Sequence, residues 1–309
     1  MLALCVFVFF IIGTVVGSFA NVLVERTIQQ NSLFGRSHCD HCHKQLKSFD
    51  LIPIFSYIFL KGKCRYCHQK ISVQHFVFEI TYGVVFAGTY LLIQNDLFLT
   101  NSYLHNPYSL PYLSNLFILI FYLFILSGLL ALFVSDLKYY LLLDRIVYPL
   151  IGVTVAYKAG SLLYLSLETY AKLQQSSFGQ NLIEAGWLSF RLQSLAYPLL
   201  YAFGGAFTIG LFFLTLIVVT KGKGMGAGDV KLGFLIGLIT GWPHMILAIM
   251  LGFLTGSVTS LILMLVRRKN MRSRIPFGPF LILGAILVLF FGDYLFNSYL
   301  KLLGLENAF

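Results

Sequence analysis

The chain has 309 residues, of which 58% are hydrophobic, 16% are aromatic and only 11% are charged. This composition is too apolar for a soluble globular protein and indicates a protein with several membrane-spanning helices. The formal net charge of +10 does not indicate nucleic-acid binding, because the basic residues lie in short segments beside apolar spans, where they orient a membrane protein.

Apolar segments long enough to cross a hydrocarbon core of about 30 Å recur along the chain. The first is interpreted as a span rather than a cleavable signal peptide, because no basic region precedes it. The predicted spans, about eight in all, are 2–24, 76–93, 116–134, 141–167, 195–219, 230–239, 244–266 and 277–299. The sixth is short, and Pro243 favours a turn after it. The predicted fold class is therefore an all-α polytopic membrane protein.

The distribution of Lys and Arg predicts the orientation of these spans. Basic residues crowd the segments 25–74 and 267–274, Lys138 lies in the loop after the third span, and Lys221, Lys223 and Lys231 surround the glycine-rich stretch. The segment 94–115 carries no Lys or Arg. With eight spans, the basic loops all fall on one side of the membrane, which the positive-inside rule makes cytoplasmic. Both termini then lie outside. The outer segments 94–115 and 168–194 are expected to follow the interface, and no role is assigned to them.

Four of the five cysteines form two C-x-x-C pairs, Cys39 with Cys42 and Cys64 with Cys67. About 21 residues separate the pairs, which is close to the spacing of zinc ribbons. Four thiolates suit a closed tetrahedral Zn²⁺ site with a structural role, and a soluble piece of about 50 residues needs such a site to fold. Two disulfides are the alternative, although a reducing cytoplasm disfavours them. The predicted domains are the first helix (1–24), a cytoplasmic zinc-binding domain (25–75) and a transmembrane domain (76–309).

A glycine-rich stretch, Gly224-Met225-Gly226-Ala227-Gly228-Asp229-Val230-Lys231, interrupts two apolar segments. Lipid does not tolerate unpaired backbone groups at membrane depth, so this stretch is expected to be buried in protein or to line a wet cavity. The alternative is a cytoplasmic turn in which Asp229 caps a helix.

Acidic residues near the predicted spans are few. Asp136 follows the third span and Asp229 precedes the sixth, so the predicted topology places both at the cytoplasmic membrane face. Two carboxyl groups in close contact share one proton, and such a pair activates water against a peptide carbonyl. Two unrelated capping acids are the alternative. Glu79 enters the second span, where a charge is costly unless it is paired or wet.

These residues together resemble a family. Gly226-Ala227-Gly228-Asp229 matches the G-x-G-D signature of membrane aspartyl proteases, and the run through Leu232 resembles the bacterial type IV prepilin peptidases. The resemblance also includes Gly17-Ser18-Phe19-Ala20-Asn21-Val22, the cysteine pairs, Asp50-Leu51-Ile52-Pro53, Glu79 and Arg274-Ile275-Pro276-Phe277-Gly278-Pro279. The family usually has Leu-Pro-Asp after its first catalytic acid, whereas this chain has Leu142-Leu143-Asp144.

The resemblance implies an enzyme with two activities in the bacterial inner membrane. It would cleave the basic leader of type IV prepilins and type II secretion pseudopilins at the cytoplasmic face, and then N-methylate the new amino terminus with S-adenosylmethionine. It implies that Asp136 and Asp229 are catalytic and that the cysteines Cys39, Cys42, Cys64 and Cys67 bind zinc. The residues expected to support the site are Gly226, Gly228, Lys231 and Glu79. The expected partners are these substrates and membrane lipid, with no nucleic acid.

The residues that would bind the methyl donor are not identified, beyond the cytoplasmic domain and Glu79 as candidates. Two other functions remain open from the sequence alone. One is a G-x-G-D protease that cuts other membrane substrates. The other is a non-enzymatic transporter or scaffold anchored by zinc, although the internal symmetry common in transporters is not visible in this sequence.

Overall fold

The computed structural model describes residues 2–30, 32, 35–39, 41–94, 111–222, 225–266, 275–302 and 304. Within these residues the chain is almost entirely helical and contains no β-strand, which confirms the predicted fold class. The helices are α1 (Leu2–Ile28), α2 (Phe55–Phe59), α3 (Val73–Gln94), α4 (Pro111–Tyr139), α5 (Asp144–Gln174), α6 (Ser177–Glu184), α7 (Trp187–Val219), α8 (Ala227–Thr240), α9 (His244–Leu265) and α10 (Gly278–Leu302).

Seven of the helices in the described residues are long and apolar enough to cross a membrane, namely α1, α3, α4, α5, α7, α9 and α10. The predicted sixth span corresponds to α8, which has only 14 residues. At 1.5 Å per residue such a helix is about 21 Å long, shorter than the hydrocarbon core. Helix α8 is therefore too short to cross the hydrocarbon core. The depth of its amino-terminal end, which carries Asp229, depends on the helices that pack against it.

The chain divides into two compact units, and the division falls between Ser135 and Asp136, inside α4. In the first unit, α1 packs against α3 at very short range. A methyl group added at Gly13 would lie 2.5 Å from the carbonyl oxygen of Tyr82, and one added at Gly17 would lie 2.9 Å from the Tyr82 side chain. Small residues therefore permit this contact, as is common between helices in membranes.

In the second unit, α8 packs backbone against backbone on α7. A methyl group added at Gly205 would lie 2.9 Å from the carbonyl oxygen of Gly237, and one at Gly237 would lie 2.5 Å from that of Gly205. Residues Leu232 and Leu235 to Ile239 of α8 are buried, so the short helix is enclosed largely by protein. This packing fixes the position of the acid in its first turn.

Several predicted features fall partly outside the described residues. These are most of the outer segment 94–115, the basic residues at 267–274, and Lys223 and Gly224 of the glycine-rich stretch. The other outer segment, 168–194, is helical in the structure, since it comprises the end of α5, all of α6 and the start of α7.

Candidate active site and metal centre

The four predicted cysteine ligands converge in the first unit. Their sulfur atoms all lie within 4.8 Å of one another, and the Sγ atoms of Cys39 and Cys67 are 3.8 Å apart. All four are free thiols, and a disulfide requires a sulfur–sulfur distance of about 2.05 Å. The alternative of two disulfides is therefore not what the structure contains, and the cluster can hold a metal ion.

The two cysteine pairs lie on turns of the same construction. In each turn the first cysteine receives a hydrogen bond at its carbonyl oxygen from a histidine N–H, 2.9 Å from His43 to Cys39 and 3.0 Å from His68 to Cys64. Both histidines have positive φ angles, 54° for His43 and 56° for His68. The local sequence C-x-x-C-H thus builds one thiol-presenting turn twice. The residues that could hold a metal ion here are the four cysteines.

The two predicted acids come together in the second unit. Asp136 lies near the end of α4 with only 6% of its surface exposed, and Asp229 lies half-buried in the first turn of α8. The two carboxyl groups are close enough to interact electrostatically. The tertiary structure therefore brings two acids that are 93 positions apart in the sequence into one site, as the shared-dyad hypothesis requires.

Each acid accepts a hydrogen bond from the backbone at the start of a helix. The Gly278 N–H, at the first position of α10, donates to the Asp136 carboxylate. The Gly226 N–H, just before α8, donates to Asp229 Oδ2 at 3.1 Å. Helix amino termini favour negative charge, so both carboxylates are placed where one of them can remain ionised despite burial.

The surroundings of Asp229 also favour a retained proton. Asp229 is half-buried, and burial disfavours the charged form of a carboxyl group, while the hydrogen bond from the Gly226 N–H favours it. A second carboxyl nearby disfavours double ionisation of such a pair. The pair is thus suited to hold one proton between two acids.

The glycine-rich stretch differs in one respect from its prediction. The non-helical break ends at Gly226, and Asp229 lies inside α8 rather than inside the break. Asp229 does cap this helix, as the alternative interpretation held, because it exchanges hydrogen bonds with Gly226 in both directions. Capping and convergence with Asp136 are therefore compatible properties of one side chain.

The two predicted supporting glycines have different surroundings. A methyl group at Gly228 would lie 3.2 Å from the Leu142 side chain, so Gly228 allows the segment before α5 to approach α8. Gly226 is exposed, and a methyl group there would make only an ordinary contact, 3.9 Å from Asp229. The backbone beside the dyad is therefore accessible at Gly226.

Lys231 forms an ion pair with Asp144. Its Nζ lies 2.7 Å from Asp144 Oδ1 and 2.8 Å from Oδ2, and it also lies 5.3 Å from the centre of the Tyr148 ring. Asp144 is the first residue of α5, so this ion pair connects the starts of α5 and α8. Lys231 was a supporting candidate from the sequence, but its pairing with Asp144 depends on the fold.

Glu79 belongs to the first unit. It accepts a hydrogen bond from the Ile54 N–H at 2.7 Å and another from the Ser18 hydroxyl. It therefore connects α3 to the metal-binding domain and to α1. Gly278, in contrast, received no role from the sequence, although it lies in the Ile275-Pro276-Phe277-Gly278-Pro279 run that was noted.

Comparisons with known proteins match both halves of the chain. Residues 11–93 match the bacterial peptidase A24 N-terminal domain, and residues 123–261 match the type IV leader peptidase family. The chain belongs to the type IV leader peptidase family. The resemblance seen in the sequence is thereby confirmed, and it covers the metal-binding domain as well as the two acids.

Relatives of similar length extend this assignment across the chain. A prepilin leader peptidase/N-methyltransferase of Stutzerimonas stutzeri is 24% identical and spans 94% of this chain and 92% of its own length. Proteins of the same name from Pseudomonas aeruginosa and Bacillus subtilis are each 25% identical, over 96% of this chain and 93% and 98% of their own lengths. No solved structure matches the chain.

Proposed function

We propose that this family member removes the leader peptide of type IV prepilins and type II secretion pseudopilins, with Asp136 and Asp229 as its catalytic pair. The observation that carries the proposal is the convergence of these two acids, one of them buried, each receiving a backbone hydrogen bond at a helix start. The family assignment and the names of the relatives support the same reaction.

The proposed hydrolysis uses one proton shared between the two acids. The ionised carboxyl group removes a proton from water while the protonated one donates to the oxygen of the scissile carbonyl. The resulting tetrahedral intermediate collapses as the first carboxyl group gives its proton to the departing amine and the second recovers a proton from the intermediate. The pair then returns to its single-proton state, and one water has been added across one peptide bond.

The environment of the pair suits a substrate that enters from the membrane. A prepilin presents a short basic leader followed by a long apolar helix. Because Gly226 is exposed and has no side chain, a substrate chain can approach the backbone at this position closely. The positive-inside rule, applied to the basic segments of the sequence, predicts that the ends of the spans carrying Asp136 and Asp229 face the cytoplasm. This prediction supports a cytoplasmic active site in a bacterial inner membrane.

Zinc is the proposed metal of the cysteine cluster. A tetrahedral site with Zn–S bonds of about 2.3 Å has sulfur–sulfur edges of about 3.8 Å, and the measured Cys39–Cys67 separation is 3.8 Å. The four thiols occupy all positions of such a site, so its role is structural rather than catalytic. The metal would connect the two C-x-x-C turns and fold a domain too small to support its own core.

We expect about one zinc ion per purified chain. Replacing Cys64, which is only 4% exposed, by Ser should lower the zinc content and the melting temperature of the protein, because the site loses a buried ligand. Metal analysis and thermal unfolding measure both quantities. Cys5→Ser is the matched control, since Cys5 lies in α1 outside the cluster. A metal-free protein with an unchanged melting temperature would contradict the structural role.

Methylation is the second proposed activity. After the new amino terminus has lost a proton to water, its nitrogen would attack the methyl carbon of S-adenosylmethionine. The methyl carbon–sulfur bond would break, and S-adenosylhomocysteine would leave. The relatives from Stutzerimonas stutzeri and Pseudomonas aeruginosa are prepilin leader peptidase/N-methyltransferases, which supports this activity.

Mass spectrometry of a prepilin tests both activities at once. The purified protein is incubated with the prepilin and S-adenosylmethionine, and an unrelated single-span peptide serves as the comparison substrate. We expect cleavage after the glycine that ends the leader, followed by a mass increase of one methyl group on the product. Equal cleavage of the unrelated peptide would instead indicate a membrane protease of broader specificity.

A further inference from the structure

A cavity of about 380 Å³ lies in the first unit, lined by α1, α3 and the metal-binding domain. Small-molecule sites commonly have volumes of about 300–1,000 Å³, so the cavity is large enough for a cofactor-sized ligand. The hydrolytic mechanism proposed above uses none of the residues that line it. Its occupant must therefore be sought from the chemistry of its walls.

One wall carries a hydrogen-bond donor without a partner. Asn21 of α1 lines the cavity and is only 7% exposed, and its side-chain Nδ2 has no hydrogen-bond partner among the described residues. A buried polar group left unpaired is costly, and native proteins rarely retain one without a reason. A ligand with an acceptor oxygen or nitrogen would satisfy this donor.

The walls formed by α1 and α3 also carry acidic groups. Glu79 accepts hydrogen bonds from two neutral donors, the Ile54 N–H and the Ser18 hydroxyl, and it also lies close enough to His75 to interact with it electrostatically. Glu25 faces His75, with 3.8 Å between the carboxylate and Nε2, an ion pair only when the histidine is protonated. These walls favour a ligand that carries a positive charge.

The metal-binding domain contributes a different set of groups. Asp50 is already neutralised there by Arg65, at 2.8 Å, so it adds little negative charge to the cavity. Lys70 also lines the cavity and provides a cation for an acidic group on the ligand. The rings of Tyr57 and Phe76 line it as well and are stacked, with centroids 5.0 Å apart. Aromatic faces of this kind accept a planar ring system.

We infer that this cavity binds S-adenosylmethionine. The combination of a cation, an anionic carboxylate and a planar purine in one molecule matches the acidic wall, the lysine and the aromatic pair. Glu79 and Glu25 would face the sulfonium charge, Tyr57 and Phe76 would contact the purine, and Asn21 would donate to an acceptor atom. The inference rests on the proposed methyl transfer and adds the donor site that the proposal lacks.

Equilibrium binding measurements show whether the cavity recognises the charge of the ligand or only its shape. S-adenosylhomocysteine has nearly the same shape as S-adenosylmethionine but lacks the positive sulfur. Glu79→Gln should therefore weaken binding of S-adenosylmethionine by about tenfold or more, while S-adenosylhomocysteine changes much less. Asn21→Ala should weaken both ligands by about threefold, because it removes a neutral hydrogen bond. The full-length protein in detergent and radiolabelled ligands are used for both measurements.

The matched control is Glu168→Gln. Glu168 lies in α5 of the second unit and pairs with Lys172 at 2.6 Å, so this change also removes a glutamate charge from a long helix but should leave the binding of both ligands unchanged. If Glu79→Gln weakens both ligands equally or neither, the sulfonium does not face Glu79 and the inference is wrong.

Photolabelling of the unmodified protein gives an answer that does not depend on a variant folding. An azido-adenine derivative of S-adenosylmethionine should label peptides that contain Tyr57 or Phe76. Labelling confined to the second unit overturns the inference. So does competitive displacement of the label by a basic leader peptide alone, since the cavity would then be a peptide site.

The prepilin assay distinguishes failure of this cavity assignment from failure of the proposed function. A wild-type protein that cleaves and methylates prepilin but is labelled elsewhere disproves only this cavity as the donor site. A wild-type protein that neither cleaves nor methylates prepilin disproves the proposed function itself.

Discussion

Replacing either acid of the pair with its amide, Asp136→Asn or Asp229→Asn, should slow leader cleavage by about 10³-fold or more. A positioned acid or base commonly contributes about 10²–10⁴-fold to a rate, and here each residue is required in both protonation roles during one turnover. The two effects should not multiply in the double variant, because one missing member already disables the pair. Cleavage is measured on a purified prepilin by mass spectrometry.

The amide substitutions preserve the shape of each site. An asparagine oxygen can still accept the hydrogen bond from Gly278 at position 136, or from Gly226 at position 229. The variants should therefore insert and melt like the wild type. Asp293→Asn is the matched control, since Asp293 lies in α10 beside His244, at 2.8 Å, and about 22 Å along the helix from Gly278. Normal cleavage by either pair variant would rule out the dyad.

Gly278→Ala should lower the cleavage rate by about 10²-fold while leaving the fold intact. The added methyl group would collide with Asp136 Oδ2, and it would lie 3.5 Å from the Leu232 side chain. Because Leu232 is fully buried, the carboxylate is the atom group that has to move. A displacement of about 1 Å at reacting atoms can cost about 10²-fold in rate. The backbone N–H at position 278 remains, so the loss would come from displacement of the carboxylate.

Gly152→Ala is the matched control for this variant. Gly152 lies in α5, and a methyl group there meets no atom within 4 Å. It makes the same chemical change in a membrane-length helix without touching the acids. If Gly278→Ala cleaves prepilin as fast as Gly152→Ala does, Asp136 does not act from its position against Gly278.

The metal cluster shows how much local sequence can determine. Each C-x-x-C-H segment needs only its own turn to present two thiols, so the convergence of four thiols into a cluster that can hold a metal ion was predictable from spacing. The membrane helices were predictable for a similar reason. A long apolar segment in lipid has to satisfy its own backbone, and a helix is the local solution.

Only part of the dyad hypothesis could be predicted from the sequence. Asp136 and Asp229 were candidates because a charged group in or near a membrane costs free energy and is retained for a function. The alternation of the basic loops predicted that both lie on one side of the membrane. Their convergence depends on α8 being shorter than a full span and on its close backbone packing against α7. The pairing of Lys231 with Asp144 depends on the approach of the start of α5 to the start of α8.

The sequence by itself determined the helical membrane fold, the metal-binding turns and the family, because each depends on composition or on residues close together in the chain. Only the tertiary structure decided that Gly278 lies against Asp136 and that Asn21 and Glu79 line one cavity. A glycine carries no side-chain signal of its own, and its role appears only when another helix approaches it. Contacts of this kind join residues far apart in the chain, and their energy comes from packing that no local pattern records.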